Sequence, residues 1–248
     1  MPPTLPKLYS DYAAWYHLLT APEEYAEESA FYMGLIREAS QTPPRTLLEL
    51  GSGGGNMASH YAKEVTPTLS DISPQMIALS RTILPDVEHH VGDMRTLRIG
   101  RTFDAVFVHD AVVYMLSEDD LRQAMRTAWT HLKPGGVAVF APDHTRENFH
   151  SSTEHGGHDG EGRGLRYLEW VHPLQPGADH SIVDYALVFH EHGQPPRVDV
   201  DRHIEGLFSR DVWLRLLAET GFRAYPRLLE HSEVEPGDVE VFVAIRPA

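Results

Sequence analysis

The sequence predicts an α/β fold, in which a mostly parallel sheet carries helices on both faces. Two observations predict it. A short apolar run, Thr46–Leu50, ends at a glycine-rich turn, and a helix-compatible segment from Met57 to Lys63 follows that turn. Further apolar runs, each ending at a polar residue or a turn, recur with helical segments between them as far as residue 141. Such alternation is typical of parallel sheets whose ligand lies at the carboxyl ends of the strands.

The glycine turn after the first strand restricts the kind of ligand. A dinucleotide fingerprint requires a third glycine where Asn56 stands, and no lysine follows the turn as a phosphate-binding loop requires. Glu49, just ahead of the turn, repels a pyrophosphate but attracts a cationic amino group. Because glycines leave the backbone open to a ligand, the turn favours a nucleotide with a positively charged end.

The second strand supplies a carboxylate. Val65–Ser70 is predicted to be this strand, and Asp71 closes it about twenty residues after the first glycine, where a carboxylate accepts both ribose hydroxyls. Ser73 and Pro74 then begin a helix as its N-cap and its first helical residue.

Three more strands of the same sheet are predicted. The third is followed by Asp93 and Met94, a polar and an apolar side chain that suit the edge and the face of an adenine. The fourth ends at His109, and a helix stop with two glycines precedes the fifth. These strands are Val87–Val91, Phe103–Val108 and Val137–Ala141.

Four motifs lie in register between residues 40 and 142. They are Glu49–Gly55, Asp71–Met76, Gly92–Met94 and Leu132–Gly136. In this order they resemble the motifs of class I S-adenosylmethionine-dependent methyltransferases. The resemblance implies a Rossmann-like, seven-stranded, mostly parallel sheet with helices on both faces and an antiparallel final hairpin. It also implies S-adenosyl-L-methionine as the methyl donor and S-adenosyl-L-homocysteine as the product.

The motifs and the resemblance together define a predicted cofactor site. In the resembled family an N-terminal tyrosine can touch the methionyl end of the donor, which points to Tyr16. His109, at the end of the fourth strand, is expected beneath that end. The predicted cofactor-binding residues are Tyr16, Glu49, Gly51, Ser52, Gly53, Asn56, Asp71, Ile72, Met76, Asp93, Met94 and His109.

Four regions are expected along the chain. They are an N-terminal helical lid (1–40), the cofactor-binding core (41–142), an antiparallel substrate-side insertion (143–208) and a C-terminal helix with the closing strands (209–248). The lid holds two predicted helical segments, Leu8–Thr20 and Glu23–Ala39. The insertion after strand five holds three predicted strands that alternate apolar and polar residues, Leu165–Val171, Ile182–Phe189 and Arg197–His203.

Two residues are predicted to act on the methyl acceptor. Methyl transfer is an in-line displacement, so positioning accounts for most of the catalysis, and the acceptor must also lose a proton. Histidine suits a general base near neutral pH, and His144, after strand five, is the first choice. Tyr114 is expected to orient the acceptor. A solvated or strand-capping role for His144 remains the alternative.

The distribution of histidines allows a second interpretation of the chemistry, namely a metal-assisted reaction. Nine of the sixteen lie between residues 144 and 203. His150, His155 and His158 stand close to Asp159, and His190 and His192 share a strand face, which would suit a metal-assisted reaction. The loop is rich in glycine and no supporting residues can be named. No metal is therefore assigned.

The composition limits the partners. The formal net charge is −15, so a nucleic-acid substrate is not expected. The chain lacks cysteine, which excludes disulfides and thiolate metal sites. With no signal or membrane-spanning pattern visible, a cytoplasmic enzyme is expected, and a homodimer is an assembly open to it.

The function expected is methyl transfer to nitrogen or oxygen of a small molecule. The stretches His90–Arg95 and Arg146–Phe149 and the antiparallel insertion resemble enzymes that N-methylate amino sugars on nucleotides. Those enzymes tend to carry a histidine where this chain has Tyr114, which leaves the acceptor open. Two alternatives remain: a catalytically silent adenosylmethionine-binding protein, and an NAD-dependent oxidoreductase, which Asn56 opposes.

Overall fold

The computed structural model describes residues 5–248. Its strands are β1 (Thr46–Leu50), β2 (Thr66–Asp71), β3 (Glu88–Val91), β4 (Phe103–Val108), β5 (Leu132–Phe140), β6 (Ser152–Gly156), β7 (Asp159–Gly160), β8 (Arg163–Val171), β9 (His180–Glu191), β10 (Arg197–Gly206), β11 (Arg223–Leu228) and β12 (Glu240–Ile245). Its α-helices are α1 (Tyr16–Leu19), α2 (Ala26–Ala39), α3 (Asn56–Tyr61), α4 (Pro74–Ile83), α5 (Glu118–His131) and α6 (Arg210–Thr220). Short 3₁₀ helices span Lys7–Tyr9, Ala13–Trp15, Pro22–Tyr25 and Asp110–Tyr114.

A seven-stranded sheet forms the centre of the molecule, in the order β11-β12-β5-β4-β1-β2-β3. Strands β1 to β5 pair in parallel, whereas β12 runs antiparallel to both β5 and β11. The fold class is thereby confirmed, including the final hairpin. The chain reverses its direction of winding between β1 and β4, and this is the place where open α/β sheets bind ligands.

Apolar side chains cover both faces of this sheet. Leu48 and Leu50 of β1 join one cluster with Trp213 of α6, and Leu47 joins the other with Tyr32 of α2. Strands buried on both faces read as nearly continuous apolar runs, which is why β1 could be recognised. The two layers of helices hold the strand ends, and so the ligand site, in place.

The insertion after β5 forms a second sheet of five strands. Strands β10, β9, β8 and β6 pair in that order, all antiparallel, and β7 pairs with β8. The sequence predicted three of these strands and missed β6 and β7. Both lie in a stretch rich in glycine, histidine and serine that has no apolar alternation, and both are extended because β8 supplies their partner.

The N-terminal segment differs from the prediction. Instead of one helical segment over Leu8–Thr20, the chain makes two 3₁₀ turns and the single turn of α1. Trp15 packs with Leu187 and Phe189 of the second sheet, and the backbone N–H of Leu8 donates to the Asp201 carboxylate at 2.7 Å. These contacts with β9 and β10 outweigh helix propensity. Residues 1–4 of the predicted lid lie outside the described residues.

Across residues 5–248, no helix combines the length and apolar composition that a bilayer crossing requires.

Candidate active site

A cavity of about 640 Å³ opens at the carboxyl ends of β1, β2 and β4. Its walls come from the glycine turn, from the N-terminal segment through Tyr9 and Tyr16, and from β10 through Ile204. The volume is that of a typical small-molecule pocket. All the predicted cofactor residues except Met76 line it. The structure therefore brings together side chains from both sheets around one space.

The glycine turn between β1 and α3 is tightly constrained. Gly51, Gly53 and Gly55 have φ values of +78°, +52° and +82°, which side chains rarely adopt. A Cβ on Gly51 would also lie 2.3 Å from the Cβ of Ala111. Gly51 is thus required both by its conformation and by the space available. Its backbone reaches the cavity with no side chain in between.

Asp71 at the end of β2 fastens the turn. Its carboxylate accepts hydrogen bonds from the backbone N–H of Gly53 at 2.9 Å and of Ser73 at 2.8 Å. Burial raises the pKa of Asp71, against the opposing effect of these N–H groups. Because a carboxylate has about four acceptor sites, Asp71 retains acceptor capacity toward the cavity that it lines.

Glu49 lies next to the turn and is only 2 % exposed. It accepts a short hydrogen bond from the hydroxyl of Tyr61 in α3. Burial raises the pKa of Glu49 to about 7, although the hydrogen bond from Tyr61 opposes the shift. The charge of this carboxylate therefore depends on what enters the cavity beside it.

Two buried polar atoms at the turn have no hydrogen-bond partner among the described residues. They are Oγ of Ser52 and Oδ1 of Asn56, and both residues line the cavity. The other amide atom of Asn56, Nδ2, donates to the carbonyl of Thr20 at 3.0 Å. Buried polar atoms are nearly always paired, so these two are candidates to bind a ligand.

The third motif lies farther along the same wall. Asp93 and Met94 line the cavity together with Ile72. The Asp93 carboxylate is not free, because Arg95 Nη2 binds it at 2.6 Å, and Arg95 Nη1 also binds Asp120 at 2.7 Å. The predicted polar and apolar pair is present, with the polar member fixed by an arginine.

Met76 lies outside the cavity wall, and its role as a contact residue stays a prediction. It is buried in α4 and does not line the cavity, and its Cε lies 3.6 Å from the position a Cβ on Gly53 would take. Ser73 caps α4 by accepting from the backbone N–H of Met76, which holds that residue beneath the turn. Met76 thus supports the glycine turn from below.

The N-terminal segment lies across the turn. His17 Nε2 is 3.1 Å from the carbonyl oxygen of Gly54, and the hydroxyl of Ser73 donates to the carbonyl of Tyr9 at 2.5 Å. Further back, His60 of α3 contacts the carbonyl of Pro22 at 2.7 Å. These bonds attach the segment to both the first and the second unit of the core.

An ionic group stands at the end of β4. His109 Nε2 lies 3.0 Å from Glu28 Oε1 and 2.9 Å from Asp110 Oδ1. Burial opposes the charge on the ring, but the two carboxylates outweigh it and raise the pKa of His109 well above its ordinary value. The ring thus lies between two carboxylates, of which Asp110 is the one that lines the cavity.

Asp110 presents its carboxylate to the cavity. It lines the cavity, and 49 % of its side chain is accessible there. Burial works to raise its pKa, but the charge of His109 prevails and lowers it. Burial, followed by the nearby Asp110 charge, raises the pKa of the neighbouring Asp143 well above its ordinary value. The pKa values of the two carboxyl groups therefore shift in opposite directions, and Asp110 is the one that favours the ionised form.

Tyr114 ends the 3₁₀ helix that Asp110 begins, and it also lines the cavity. Its hydroxyl lies 2.8 Å from Nδ1 of His203 and 3.1 Å from the hydroxyl of Tyr9. Tyr114 was predicted from the sequence as a site residue, whereas Tyr9 and His203 were not. The available signal was the alternation in β10, which places His203 and Asp201 on one face of the strand.

The structure does not bring His144 to the cavity. Its ring meets Phe149 and His150 edge-on, at 5.5 and 5.7 Å between centroids, and its Nδ1 is buried with no hydrogen-bond partner among the described residues. Burial lowers the pKa of His144. The prediction that this residue is the base gains no support from its position, because the chain after β5 turns the ring toward its own loop.

The histidines of the insertion are dispersed. His158 pairs with Glu24 at 2.9 Å, and His172 pairs with Asp184 at 2.8 Å. Within residues 5–248, no group of three or more histidine, aspartate or glutamate side chains is placed to hold a metal ion.

The chain matches known proteins over the same core. Residues 47–136 match the family model described as a methyltransferase domain. A dTDP-4-amino-2,3,4,6-tetradeoxy-D-glucose N,N-dimethyltransferase from Saccharopolyspora spinosa is 30 % identical over 233 residues, which are 90 % of this chain and 87 % of that protein. A dTDP-3-amino-3,4,6-trideoxy-alpha-D-glucopyranose N,N-dimethyltransferase from Streptomyces venezuelae is 36 % identical over 137 residues, 53 % of this chain. That match spans only 57 % of the Streptomyces enzyme.

Two solved structures extend the similarity to the whole chain. The crystal structure of Streptomyces venezuelae DesVI has a TM-score of 0.82 at 26 % identity, covering 96 % of this chain and 99 % of that one. The S-adenosylmethionine-bound amino pentose methyltransferase CalS10 from Micromonospora echinaspora has a TM-score of 0.76 at 25 % identity, covering 96 % and 97 %. These matches do not favour an oxidoreductase or a silent binding protein. The chain belongs to the class I S-adenosylmethionine-dependent methyltransferases, and S-adenosyl-L-methionine is its methyl donor.

Proposed function

We propose that this methyltransferase transfers its methyl group to the amino group of a small molecule, with an amino sugar carried on a nucleotide as the acceptor class. Two matched relatives carry names of dTDP-amino-sugar N,N-dimethyltransferases. The observation that carries the proposal is the Asp110 carboxylate, half exposed within the cavity that also holds the glycine turn and 2.9 Å from Nε2 of His109. A carboxylate on the wall of a cavity attracts an ammonium group, and a hydroxyl acceptor gains much less from it.

The residues around the turn fit the methyl donor. When bound, S-adenosylmethionine supplies a methyl group on a sulfonium centre. The unpaired atoms of Ser52 and Asn56 and the bare backbone at Gly51 form a cradle with unmet hydrogen-bonding capacity. We assign the ribose hydroxyls to Asp71 and the ammonium end to Glu49. Each of these roles follows from the charge and position of the side chain.

The other predicted cofactor residues of the cavity wall are five, and each is assigned a position. Ile72 and Met94 offer apolar surface for the adenine, and Asp93 stands beside them. Tyr16 closes the methionyl side from the N-terminal segment, near the position that a Cβ on Gly53 would take. His109 stands behind Asp110 and orients it. In this arrangement the chain binds and aligns, which is the larger part of catalysis by displacement.

The donor site is tested by calorimetry with Asp71→Ala. The variant loses the acceptor for Gly53 and Ser73 as well as for the ribose, so we expect affinity for S-adenosylhomocysteine to fall by about 10²–10³-fold. Asp86→Ala, an exposed aspartate beyond α4, is the matched control. Unchanged affinity in Asp71→Ala would overturn the assignment.

The acceptor class is tested with paired substrates. Nucleotide sugars that bear an amino group are compared with the same sugars bearing a hydroxyl, and methylated product is measured by mass spectrometry. The proposal expects methylation of the amine alone and a raised KM for it in Asp110→Asn. Methylation of the hydroxyl sugar only would overturn it.

Region roles and assembly stay predictions from the sequence. They comprise the division into lid (1–40), core (41–142), insertion (143–208) and closing elements (209–248), the cytoplasmic location, the homodimer and the lack of a nucleic-acid partner.

A further inference from the structure

A line of hydrogen bonds leads from the acceptor side of the cavity into the second sheet. The Tyr114 hydroxyl lies 2.8 Å from His203 Nδ1, and His203 Nε2 lies 3.2 Å from Asp201 Oδ2. The hydroxyl of Tyr9 lies 3.1 Å from that of Tyr114. Tyr9 and Tyr114 line the cavity, whereas His203 is only 1 % exposed.

The fold holds this line rigidly. Asp201 and His203 are two residues apart in β10, so both side chains point to the same face of the strand. The backbone N–H of Leu8 also donates to Asp201, at 2.7 Å. The rings of Tyr185 and Tyr9 pack on His203 with centroids 4.8 and 5.5 Å away. The imidazole therefore has one orientation.

The donors and acceptors along the line can be assigned. An ionised carboxylate only accepts hydrogen bonds, so Nε2 of His203 carries the hydrogen that faces Asp201. Nδ1 is then a free lone pair and accepts the single hydroxyl hydrogen of Tyr114. The Tyr114 hydroxyl has a single hydrogen, which is within reach of the Tyr9 oxygen as well as of His203 Nδ1. When Tyr114 donates it to His203, the hydrogen bonds run from Tyr114 through His203 to the Asp201 carboxylate, and the Tyr9 hydroxyl is left to donate to the Tyr114 oxygen.

We propose that Tyr114, His203 and Asp201 form a proton relay that deprotonates the acceptor amine. This inference rests on the proposed function. The ammonium proton of the acceptor passes to the Tyr114 oxygen while the Tyr114 hydroxyl proton passes to His203 Nδ1, and Asp201 stabilises the resulting imidazolium. The freed nitrogen lone pair forms the bond to the methyl carbon, and the carbon–sulfur bond breaks with its electron pair on sulfur. The proton returns through Tyr114 to solvent after the product leaves.

Tyr114 needs this support. Burial raises its pKa well above the ordinary value, and the nearby Tyr9 and Glu205 add to the shift. A phenol of this kind does not hold a negative charge near neutral pH, so it serves as a base only by passing its own proton on. The arrangement follows the logic in which a nucleophile or base is activated by a histidine and a carboxylate orients that histidine.

The test measures kcat as a function of pH for Tyr114→Phe and His203→Gln. Both variants should lose about 10²–10⁴ in kcat near pH 7, the usual contribution of a proton-transfer group. The loss should shrink as pH approaches the pKa of the acceptor amine, because the substrate then arrives deprotonated. A merely structural role predicts a loss that does not depend on pH.

Tyr185→Phe is the matched control. This tyrosine also packs on His203, but it takes no part in the Tyr114–His203–Asp201 line of hydrogen bonds and does not line the cavity. Its rate and pH profile should be those of the wild type. Wild-type profiles in Tyr114→Phe and His203→Gln would overturn the relay, provided that the wild type methylates amines. No methylation of amines by the wild type would overturn the proposed function instead.

A readout independent of turnover is the tautomer of His203, observed by ¹⁵N NMR of the histidine side chains. The His203→Gln spectrum assigns the signal. The relay requires the hydrogen on Nε2 of His203 and a free Nδ1. Affinity for the methyl donor, measured by calorimetry, should be unchanged in Tyr114→Phe and His203→Gln. A neutral ring with its hydrogen on Nδ1 could not accept the Tyr114 proton and would overturn the proposal.

Discussion

The two ends of the cavity are built in different ways. The donor end is made by a single turn, in which Gly51 and Gly53 expose backbone and Asp71 closes the loop from the adjacent strand. The acceptor end is made by side chains from distant parts of the chain: Tyr9 from the N-terminal segment, Tyr114 from the end of β4 and His203 from the second sheet.

Because of this difference, binding of the methyl donor and selection of the acceptor depend on different residues. Local backbone geometry is hard to vary without losing the ligand, so the donor end is fixed by a few residue types at fixed spacing. The acceptor end depends on side chains that can be exchanged while the sheets remain in place. We infer that the residues of the donor end indicate the protein family, whereas the residues of the acceptor end determine the substrate.

The largest effect expected at the donor end is that of Gly51→Ala. The new Cβ would meet Ala111 at 2.3 Å in a backbone conformation with φ of +78°, so strain and overpacking add. We expect a loss of about 2–4 kcal/mol in unfolding free energy and no donor binding detectable by calorimetry.

Gly100→Ala is the control for this substitution, because Gly100 has a φ of +80° but no atom of residues 5–248 lies within 4 Å of the added Cβ. It should cost only about 1 kcal/mol and leave donor affinity unchanged. If both variants bind the donor equally well, the close approach at Gly51 does not matter and the contrast between the two ends is weakened.

A smaller effect is expected from pH. Because the pKa of Glu49 is raised to about 7, the donor ammonium meets a neutral carboxyl below that pH. Affinity should therefore rise by about tenfold from pH 5.5 to 7, while the donor amine, with a pKa of about 7.7–8.0, stays charged. Calorimetry across this range tests the prediction. Glu49→Gln should bind weakly and with no such rise.

The pH dependence of folding stability has the opposite sign to that of donor affinity. The folded protein holds the Glu49 proton more tightly than the unfolded chain, so the unfolding free energy contributed by this group falls as pH rises from about 4.5 to about 7. Denaturant titrations of the ligand-free protein should show this fall, reduced in Glu49→Gln. A donor affinity that declines as pH rises from 5.5 to 7 would contradict the assignment of the donor ammonium to Glu49.

The smallest effect is expected for His144→Ala. The ring packs on Phe149 and His150 outside the cavity, so kcat should be unchanged. Steady-state assays with any accepted amine suffice. A loss of about 10²–10⁴, as expected of a general base, would show that the acceptor end extends to the loop after β5 and restore the sequence-based hypothesis.

The sequence allowed much of the core to be predicted. Thr46–Leu50 and Phe103–Val108 have the predicted limits, because strands buried on both faces are apolar throughout. Asp71 and the glycines were found because their roles are set by neighbours in the chain. The final hairpin, by contrast, was implied only by the family resemblance.

What could not be predicted depends on contacts between distant segments. β6 has little strand propensity and is extended because β8 pairs with it. The N-terminal segment leaves its helical path because Trp15 packs on the second sheet. His203 was one of many histidines in its region, and only the folded chain shows which of them faces Tyr114.

The N-terminal segment, finally, is fastened at both ends of the cavity at once. Its Tyr9 and His17 are bonded to the first two units of the core, while Leu8 is bonded to Asp201 of β10. We expect a single strap of this kind to couple the release of spent donor to the loosening of the acceptor, so that the turnover rate would follow how often the strap detaches. A second methylation of the same amine would then need donor exchange without loss of the half-finished product.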